Sequence, residues 1–364
     1  MLNYKFTAIK SILVILASTL ISLILFEIIA SLVIEKELIN DNEHSRRYML
    51  FGTSDGASAF RNQGKIFTYI PNSTIQASAF YEIGPTLRKE YDYELKTNNF
   101  GLVQMQDIEK GRPSIIVLGD SFTEGQGATP WFYSLEESNS AKKTQLINGG
   151  LLGTGFAQWK LLNDQLVDSG IRINKVVIPF ISDDYRRTIW NFPNRVLNCL
   201  GDINRCKGDE GYYPKPQNDG ESFVEQLRKF RDAEYAEKNV VKQKRFFRKY
   251  FPSLHFIWGY IKSEYKLRYA NPNIPAIEAL IKQYGNNIIF IHIPSKEEIE
   301  SGNTPNSLGR LAREKINNAG GKFVDGFKIC GLEPGDYFIN DPHPNSAGYK
   351  KIAGCVNQTI LELD

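Results

Sequence analysis

Short runs of branched apolar residues alternate with longer amphipathic stretches from residue 113 to the end of the chain. The five apolar runs are SIIVLG (114–119), TQLIN (144–148), KVVIPFI (175–181), NIIFIHIP (287–294) and GKFVDG (321–326). Helical patterns lie between and after them, at residues 130–139, 156–169, 275–284, 306–318 and 346–361. Because the apolar runs are continuous rather than alternating, we expect strands buried on both faces, in a parallel sheet covered by helices. Such an α/β sandwich holds its ligands at the carboxyl ends of its strands.

Two regions depart from this alternation. Residues 37–112 are polar with scattered aromatic residues, and we expect an extended N-terminal segment with short strands that packs on the main domain. The main domain then spans residues 113–364 and contains a basic, aromatic, helix-compatible insertion at about 186–272. An exposed, solvated helix pair is the simplest interpretation of the insertion. A lid over the site, or a surface for anionic lipid or an acidic glycan, is also compatible with its composition.

The first 36 residues form a separate apolar segment. The stretch from Ile9 to Ile34 contains two charged residues, Lys10 and Glu27, and exceeds the roughly 20 apolar residues that span a membrane. It is too long for the apolar region of a cleaved signal peptide. Residues 1–36 are therefore predicted to be a transmembrane signal anchor, with a buried core helix as the alternative. Lys5 and Lys10 favour an inside N-terminus, which predicts a single-pass membrane protein with its main domain on the extracytoplasmic (periplasmic or extracellular) side.

Charge and cysteine content narrow the range of partners and compartments. The formal net charge of +3 over 364 residues gives no electrostatic reason to expect nucleic acid as a partner. The four cysteines permit two disulfides outside the cytoplasm, and we prefer Cys199–Cys206 and Cys330–Cys355 among the three pairings. Zinc binding is disfavoured because neither a CxxC nor a CxxH spacing occurs. Free buried thiols are the remaining alternative.

Candidate chemistry begins where the first apolar run ends, in the sequence Gly-Asp-Ser. Ser121 is either a nucleophile at a strand end or a cap of the following helix, and a nucleophilic serine needs a base, usually histidine. The chain has four histidines: His44, His255, His292 and His343. His292 lies inside an apolar strand, where a buried core histidine is the default expectation. His343 lies in the polar turn DPHPNSAG before the last helix, a turn that is also explained by Asn345 or Ser346 as a helix cap.

Taken in order, these motifs resemble the SGNH/GDSL hydrolase family. The matching blocks are Gly119-Asp120-Ser121 after the first strand, Gly150 in LINGGLLGTG after the second, and His343-Pro344-Asn345 before the last helix. The resemblance covers about residues 113–361. It implies a three-layer α/β/α sandwich with a parallel, flavodoxin-like sheet of about five strands. It also implies that Ser121 is the nucleophile, that His343 is its base, and that the N–H groups of Ser121 and Gly150 bind the oxyanion.

The chain departs from the family pattern at two positions. The family has an asparagine after the third strand that donates to the oxyanion, whereas this chain has Asp183, and an ionised carboxylate only accepts hydrogen bonds. Either Asp183 is a protonated donor, or another residue supplies the donor, or the site is weakened. The family's triad aspartate usually lies three residues before the histidine, where this chain has Asn340. We therefore assign the role to Asp341; a dyad of Ser121 and His343 is the alternative.

The resemblance implies an ester hydrolase or acyltransferase that needs neither a metal nor an organic cofactor. With the predicted anchor, the expected substrate is an acylated glycan or lipid near the membrane, and an envelope location favours O-acetyl groups. A catalytically weakened glycan-binding or scaffold protein with the same fold is the alternative, and Asp183 is the residue that favours it.

Overall fold

The computed structural model divides into two units, each of them described in part. The described residues are 47–53, 56–83, 86–139, 143–208, 210–215 and 252–362, with most residues between 14 and 29 and residues 225, 228 and 229. One unit comprises residues 45–231 and 271–364; the other comprises residues 1–44 and 232–270.

A five-stranded parallel sheet forms the centre of the larger unit, with strand order β11-β10-β8-β6-β7. Its strands are β6 (Pro113–Gly119), β7 (Gln145–Gly150), β8 (Arg172–Phe180), β10 (Ile288–His292) and β11 (Lys322–Asp325). Each overlaps one of the five predicted runs, so the predicted parallel α/β sheet is confirmed. Gly119 and Gly150 are register partners at the carboxyl ends of β6 and β7, which brings the first two motif blocks together.

Consecutive residues of the central strands point to opposite faces of the sheet. Ile116 and Leu118 belong to one apolar cluster, whereas Ile115 and Val117 belong to the other. This alternation explains the continuous apolar runs, because both faces are covered by helices. The described helices of the larger unit are α1 (Ser121–Glu124), α2 (Phe132–Asn139), α3 (Phe156–Asp168), α4 (Asn194–Gly201), α6 (Asn273–Tyr284), α7 (Lys296–Glu300), α8 (Ser307–Asn318), α9 (Gly326–Ile329) and α10 (Ser346–Leu361).

The helices form two layers. Buried residues of α3, α6 and α8 join the cluster of Ile116, whereas those of α2 and α10 join the cluster of Ile115. The result is the three-layer α/β/α sandwich that the family resemblance implies. Helices α2, α3, α6, α8 and α10 overlap the five predicted helical patterns.

A second sheet lies outside this sandwich and was not predicted as a sheet. Its strand order is β5-β4-β1-β9; β9 is parallel to β1 and the other neighbours are antiparallel. Its strands are β1 (Arg47–Thr53), β4 (Thr74–Ile83), β5 (Thr86–Lys96) and β9 (Tyr212–Pro214), and a separate hairpin comprises β2 (Phe60–Gln63) and β3 (Ile66–Tyr69). Because β9 comes from the start of the predicted insertion, this part of the insertion is a strand of the second sheet and not a helix.

Both predicted disulfides are confirmed. Cys199 pairs with Cys206, and Cys330 pairs with Cys355. The second bond links the end of α9 to the helix α10 that follows His343. Disulfides persist in oxidising compartments, so the two bonds are typical of an extracytoplasmic protein.

The smaller unit contains helix α5 (Pro252–Tyr269) and helical residues between 14 and 29. In α5, Trp258, Tyr260 and Tyr265 are exposed. No helix among the described residues is both long and apolar enough to cross a membrane. Part of the predicted membrane span at 9–34 lies outside the described residues. Most of the predicted insertion between residues 216 and 251 also lies outside them.

Candidate active site

Ser121 is the first residue of helix α1, directly after strand β6. The preceding Asp120 is the helix N-cap, and its Oδ1 accepts from the N–H of Phe122 (2.9 Å). Gly119 is required for this sharp change from strand to helix, because an added Cβ would lie 1.9 Å from Thr123 Oγ1 and 2.9 Å from the Pro179 carbonyl oxygen. Asp120 is therefore the cap, and the Ser121 hydroxyl is available for another partner.

His343 supplies that partner. Its Nε2 lies 2.8 Å from Ser121 Oγ, and its Nδ1 contacts Asp341 Oδ1 in a short hydrogen bond. The loop keeps this geometry because Asp341 Oδ1 also accepts from the backbone N–H of His343 (2.8 Å). Asn345 caps helix α10 through the N–H groups of Ala347 and Gly348, so the cap and the histidine are separate residues of one turn. We call Ser121, His343 and Asp341 the edge triad.

The hydrogen bonds of the edge triad determine its protons. Since the carboxylate of Asp341 accepts, Nδ1 of His343 carries a proton, and Nε2 is left to accept from the Ser121 hydroxyl. Burial raises the pKa of Asp341. The interactions with His343, and then with Arg47 and the Tyr81 hydroxyl, lower it by a larger amount, so the pKa of Asp341 is held well below its usual range. Asp341 is therefore an anion at neutral pH. Both residues retain slight solvent access, with Ser121 4% and His343 5% exposed.

The second sheet provides further contacts to Asp341 that the sequence reasoning missed. Asp341 Oδ2 accepts from the hydroxyl of Tyr91 (2.9 Å) and from that of Tyr81 in a short hydrogen bond, and it lies 3.5 Å from Arg47 Nη1. No local motif marks these residues, which lie 250 to 294 positions before Asp341 and reach it only through the fold. Asn340, at the family's usual position for the aspartate, binds Glu90 instead.

A buried ion cluster lies on the other side of Ser121. Arg187 Nη1 is 2.7 Å from Asp120 Oδ2 and 2.5 Å from Asp184 Oδ1, and the same Asp120 oxygen lies 3.5 Å from Ser121 Oγ. Burial, and next the charge of Asp120, raise the pKa of Asp184 well above the usual range, although Arg187 opposes both. Sequence reasoning also missed Arg187, which connects the loop after β8 to the residue that precedes the serine.

Asp183 lies next to this cluster but faces away from it. Residues Ser182–Arg186 form a 3₁₀ turn, in which side chains three residues apart share a side. The half-exposed Asp183 accordingly pairs with Arg186, at 2.8 and 3.1 Å, and Arg186 is the only hydrogen-bonding partner of its carboxylate among the described residues. The structure therefore does not bring Asp183 to Ser121 as the family position implies.

The backbone of Gly150 reaches the site, but its N–H already has an acceptor. It donates to Oδ1 of Asn148 (2.9 Å), two residues earlier. An added Cβ on Gly150 would lie 2.4 Å from the backbone nitrogen of Glu124, so the glycine is required for the close contact with helix α1. Gly153, in the same turn, has φ +70°, and within the described part of the chain its N–H has no acceptor. The repeated glycines of LINGGLLGTG were the signal that could have marked Gly153 as a second candidate donor.

A second serine–histidine–carboxylate grouping lies in the core. Ser182 Oγ is 3.0 Å from His292 Nε2 and donates to Glu298 Oε1 (2.5 Å). The His292 ring stacks on Phe180, and all three polar residues are at most 1% exposed. Burial lowers the pKa of His292 to about 4, with Glu298 only partly opposing the shift. We call Ser182, His292 and Glu298 the core cluster; it fits the expectation that His292 is a buried core histidine.

Comparisons with known proteins give similar solved structures but no sequence relative. Neither a protein-family model nor a curated protein matches the chain. The structure is similar to a lipase/acylhydrolase from Enterococcus faecalis (14% identity, TM-score 0.36, 68% of this chain and 95% of that one). It is also similar to a member of the lipolytic protein G-D-S-L family from Veillonella parvula (14%, 0.32, 68% and 98%) and to the psychrotrophic esterase EstA from Pseudoalteromonas sp. (11%, 0.35, 68% and 97%). The chain is therefore similar to solved GDSL-type lipolytic hydrolases over about two thirds of its length.

Proposed function

We propose that this protein is a membrane-anchored, extracytoplasmic serine esterase that removes an acyl group from a glycan or lipid, or transfers it. The observation that carries the proposal is the 2.8 Å contact between Ser121 Oγ and His343 Nε2, with Asp341 on the opposite ring nitrogen. A nucleophile, a base and a group that orients the base are the parts that acyl transfer requires, in the geometry that it requires.

The proposed reaction has two steps. Ser121 Oγ attacks the ester carbonyl while His343 Nε2 takes its proton, and Asp341 stabilises the imidazolium that forms. As the tetrahedral intermediate collapses, the imidazolium returns the proton to the departing alcohol oxygen, and the acyl group stays on Ser121. Water, activated by His343, then releases the carboxylic acid; a sugar hydroxyl in place of water would give a transferase.

The developing oxyanion needs hydrogen-bond donors, and we propose the backbone N–H groups of Ser121 and Gly153. The N–H of Gly150 would contribute only if it left its acceptor on Asn148. The contact between Asp183 and Arg186 supports no role for Asp183 as a donor. This limited set of donors is the observation that favours the second candidate function, a weakened glycan-binding or scaffold protein.

Membrane attachment and substrate class rest on the chain outside the edge triad. The apolar stretch at 9–34 supports a signal anchor, and the two disulfides support an oxidising compartment. An esterase held there would meet the acylated glycans and lipids of the envelope, and we propose O-acetyl groups as the substrate.

The test is an assay of the full chain in detergent for hydrolysis of p-nitrophenyl acetate, together with labelling by a serine-reactive phosphonate. We expect labelling at Ser121, and loss of both hydrolysis and labelling in Ser121→Ala and His343→Ala. Equal hydrolysis in all three proteins, with no labelled Ser121, would favour the scaffold function.

A further inference from the structure

We propose that the second sheet completes the active site, with Arg47, Tyr81 and Tyr91 as positioning residues for Asp341. The inference rests on the proposed esterase function and goes beyond it, because it assigns roles to residues outside the sandwich that carries the motifs. The three residues come from three different strands, β1, β4 and β5.

The two carboxylate oxygens of Asp341 have separate tasks. Oδ1 accepts from Nδ1 and from the backbone N–H of His343. Oδ2 accepts from the hydroxyls of Tyr81 and Tyr91 and faces the guanidinium of Arg47. The sandwich thus determines which oxygen meets the imidazole, and the second sheet holds the other oxygen so that the carboxylate cannot rotate away.

Burial makes this support necessary. The Asp341 side chain has no solvent exposure, and a buried carboxylate without donors would be protonated rather than pay the desolvation cost of its charge. The Arg47 side chain is about one third exposed, and its guanidinium faces the Asp341 carboxylate at 3.5 Å. The charge of Arg47 therefore lowers the cost of the buried Asp341 charge.

The hydroxyls of the second sheet are themselves held in place. Tyr91 accepts from Gln126 Nε2 (2.8 Å), so its own proton is directed at Asp341. Among the described residues, Tyr93 of β5 and Tyr349 of α10 also interact electrostatically with Asp341. Burial raises the pKa of both phenols well above the usual range, so both are neutral and Arg47 is the cation that faces the carboxylate from the second sheet.

The test measures kcat, KM and the pH dependence of kcat/KM for p-nitrophenyl acetate in the full chain, with Arg47→Met, Arg47→Lys and Tyr81→Phe. The concentration of competent sites is taken from the end point of phosphonate labelling, and kcat is calculated per labelled site. Misfolded protein is therefore not counted as enzyme. We expect kcat per competent site to fall about tenfold in Tyr81→Phe and at least as much in Arg47→Met, with KM changed less than about threefold.

The pH profile separates positioning from mere support of the fold. The acid limb of kcat/KM reports uptake of a proton by the coupled pair of Asp341 and His343, and removing the nearby Arg47 charge lets this pair take up the proton at higher pH. We expect the acid limb of kcat/KM to move up by about one pH unit in Arg47→Met and to return toward the wild-type position in Arg47→Lys. Matched controls are Arg112→Met, which removes a surface pair with Glu109, and Tyr284→Phe, whose hydroxyl donates to Asn163.

Three outcomes are informative. Lower kcat per site with a shifted acid limb, absent from the controls, supports the proposal. Unchanged kcat per site and an unchanged acid limb, with Ser121 labelled normally, overturn the positioning role and leave the esterase function intact. If wild-type protein is not labelled at Ser121, and Ser121→Ala hydrolyses the ester as fast as wild type, both the positioning role and the esterase function are overturned.

Discussion

The edge triad and the core cluster consist of the same kinds of residue, yet they differ in which residue stands in the middle. In the edge triad the histidine is central, because it contacts the serine through Nε2 and the carboxylate through Nδ1. In the core cluster the serine is central: Ser182 donates to Glu298, so the histidine is left to donate to Ser182. His292 Nδ1 has no hydrogen-bond partner in the described structure. A serine whose proton is held by a carboxylate, and whose histidine is a donor, has no base.

The difference between the two groupings follows from where the chain places them. Ser121 starts a helix at the carboxyl edge of the sheet, and His343 reaches it from a loop. Ser182 also follows a strand, but its neighbours His292 and Glu298 come from the adjacent strand and a short helix packed over it. The lesson is that residue types alone do not define a site; the direction of each hydrogen bond does.

The largest effect should come from removing each serine. We expect Ser121→Ala to reduce p-nitrophenyl acetate hydrolysis to the buffer background, a fall on the order of 10⁵-fold or more. Ser182→Ala should leave kcat/KM within about threefold of wild type at a temperature where it is folded. It should destabilise the protein by about 1–3 kcal/mol in urea unfolding, because Glu298 and His292 lose a buried partner. Equal loss of activity in both variants, with equal phosphonate labelling, would make the two groupings functionally alike.

Replacing the carboxylates of Asp341 and Glu298 should give nearly as large a difference in activity. We expect Asp341→Asn to lower kcat on the order of 10⁴-fold, because an amide cannot hold the same tautomer of His343 or stabilise its charge. Glu298→Gln should mainly affect stability: the carboxylate accepts from Ser182, Asn306 and Ser295, and an amide N–H₂ would face one of these donors. The measurement is kcat beside the free energy of unfolding for each variant. Activity lost in Glu298→Gln at full stability would contradict the assignment.

The sandwich and the edge triad could be predicted from sequence because their signals are local. Apolar runs mark strands, and the residues after β6 and before α10 carry their own motifs, although Gly-Asp-Ser alone did not distinguish a nucleophile from a cap. Arg47 and Tyr81 carried no such signal, because they act through pairing between strands of a separate sheet and contact Asp341 across most of the chain. The direction of Asp183 was also not predictable, since the 3₁₀ turn that rotates it is decided by packing around Asp184 and Arg187.

Acidification should act on the core cluster by lowering the stability of the protein rather than its activity. Burial lowers the pKa of His292 to about 4, against about 6.5 for an unfolded histidine, so the unfolded chain binds the extra proton first. The stability that depends on neutral His292 is fully present above pH 6.5 and is lost as the pH falls toward 4. The free energy of unfolding should fall by about 2 kcal/mol between pH 7.5 and 5 for this reason. We expect His292→Leu to have a flatter stability curve over this range in urea unfolding.

Two carboxyl groups with shifted pKa values do not produce this difference between the wild-type and His292→Leu curves. The pKa of Asp341 is held below the usual range, so its contribution is lost only at lower pH. Burial raises the pKa of Glu124 to about 8, and its effect is common to wild type and variant. Parallel curves for wild type and His292→Leu would show that His292 takes up its proton equally in the folded and the unfolded protein, and would contradict the lowered pKa.

The smallest effect should come from Asp183, which neighbours Ser182 on the same turn but faces solvent. Its carboxylate pairs with Arg186 at a half-exposed position, and exposed ion pairs contribute about 0–1 kcal/mol. We therefore expect Asp183→Asn to change kcat/KM for p-nitrophenyl acetate less than about threefold, with stability nearly unchanged. Arg186→Met is the matched control, since it breaks the same pair from the other side. A rise of tenfold or more in Asp183→Asn alone would mean that the side chain turns to the oxyanion during the reaction, where an amide donates and a carboxylate repels. A fall of similar size would mean that the charged carboxylate of Asp183 itself contributes to the reaction.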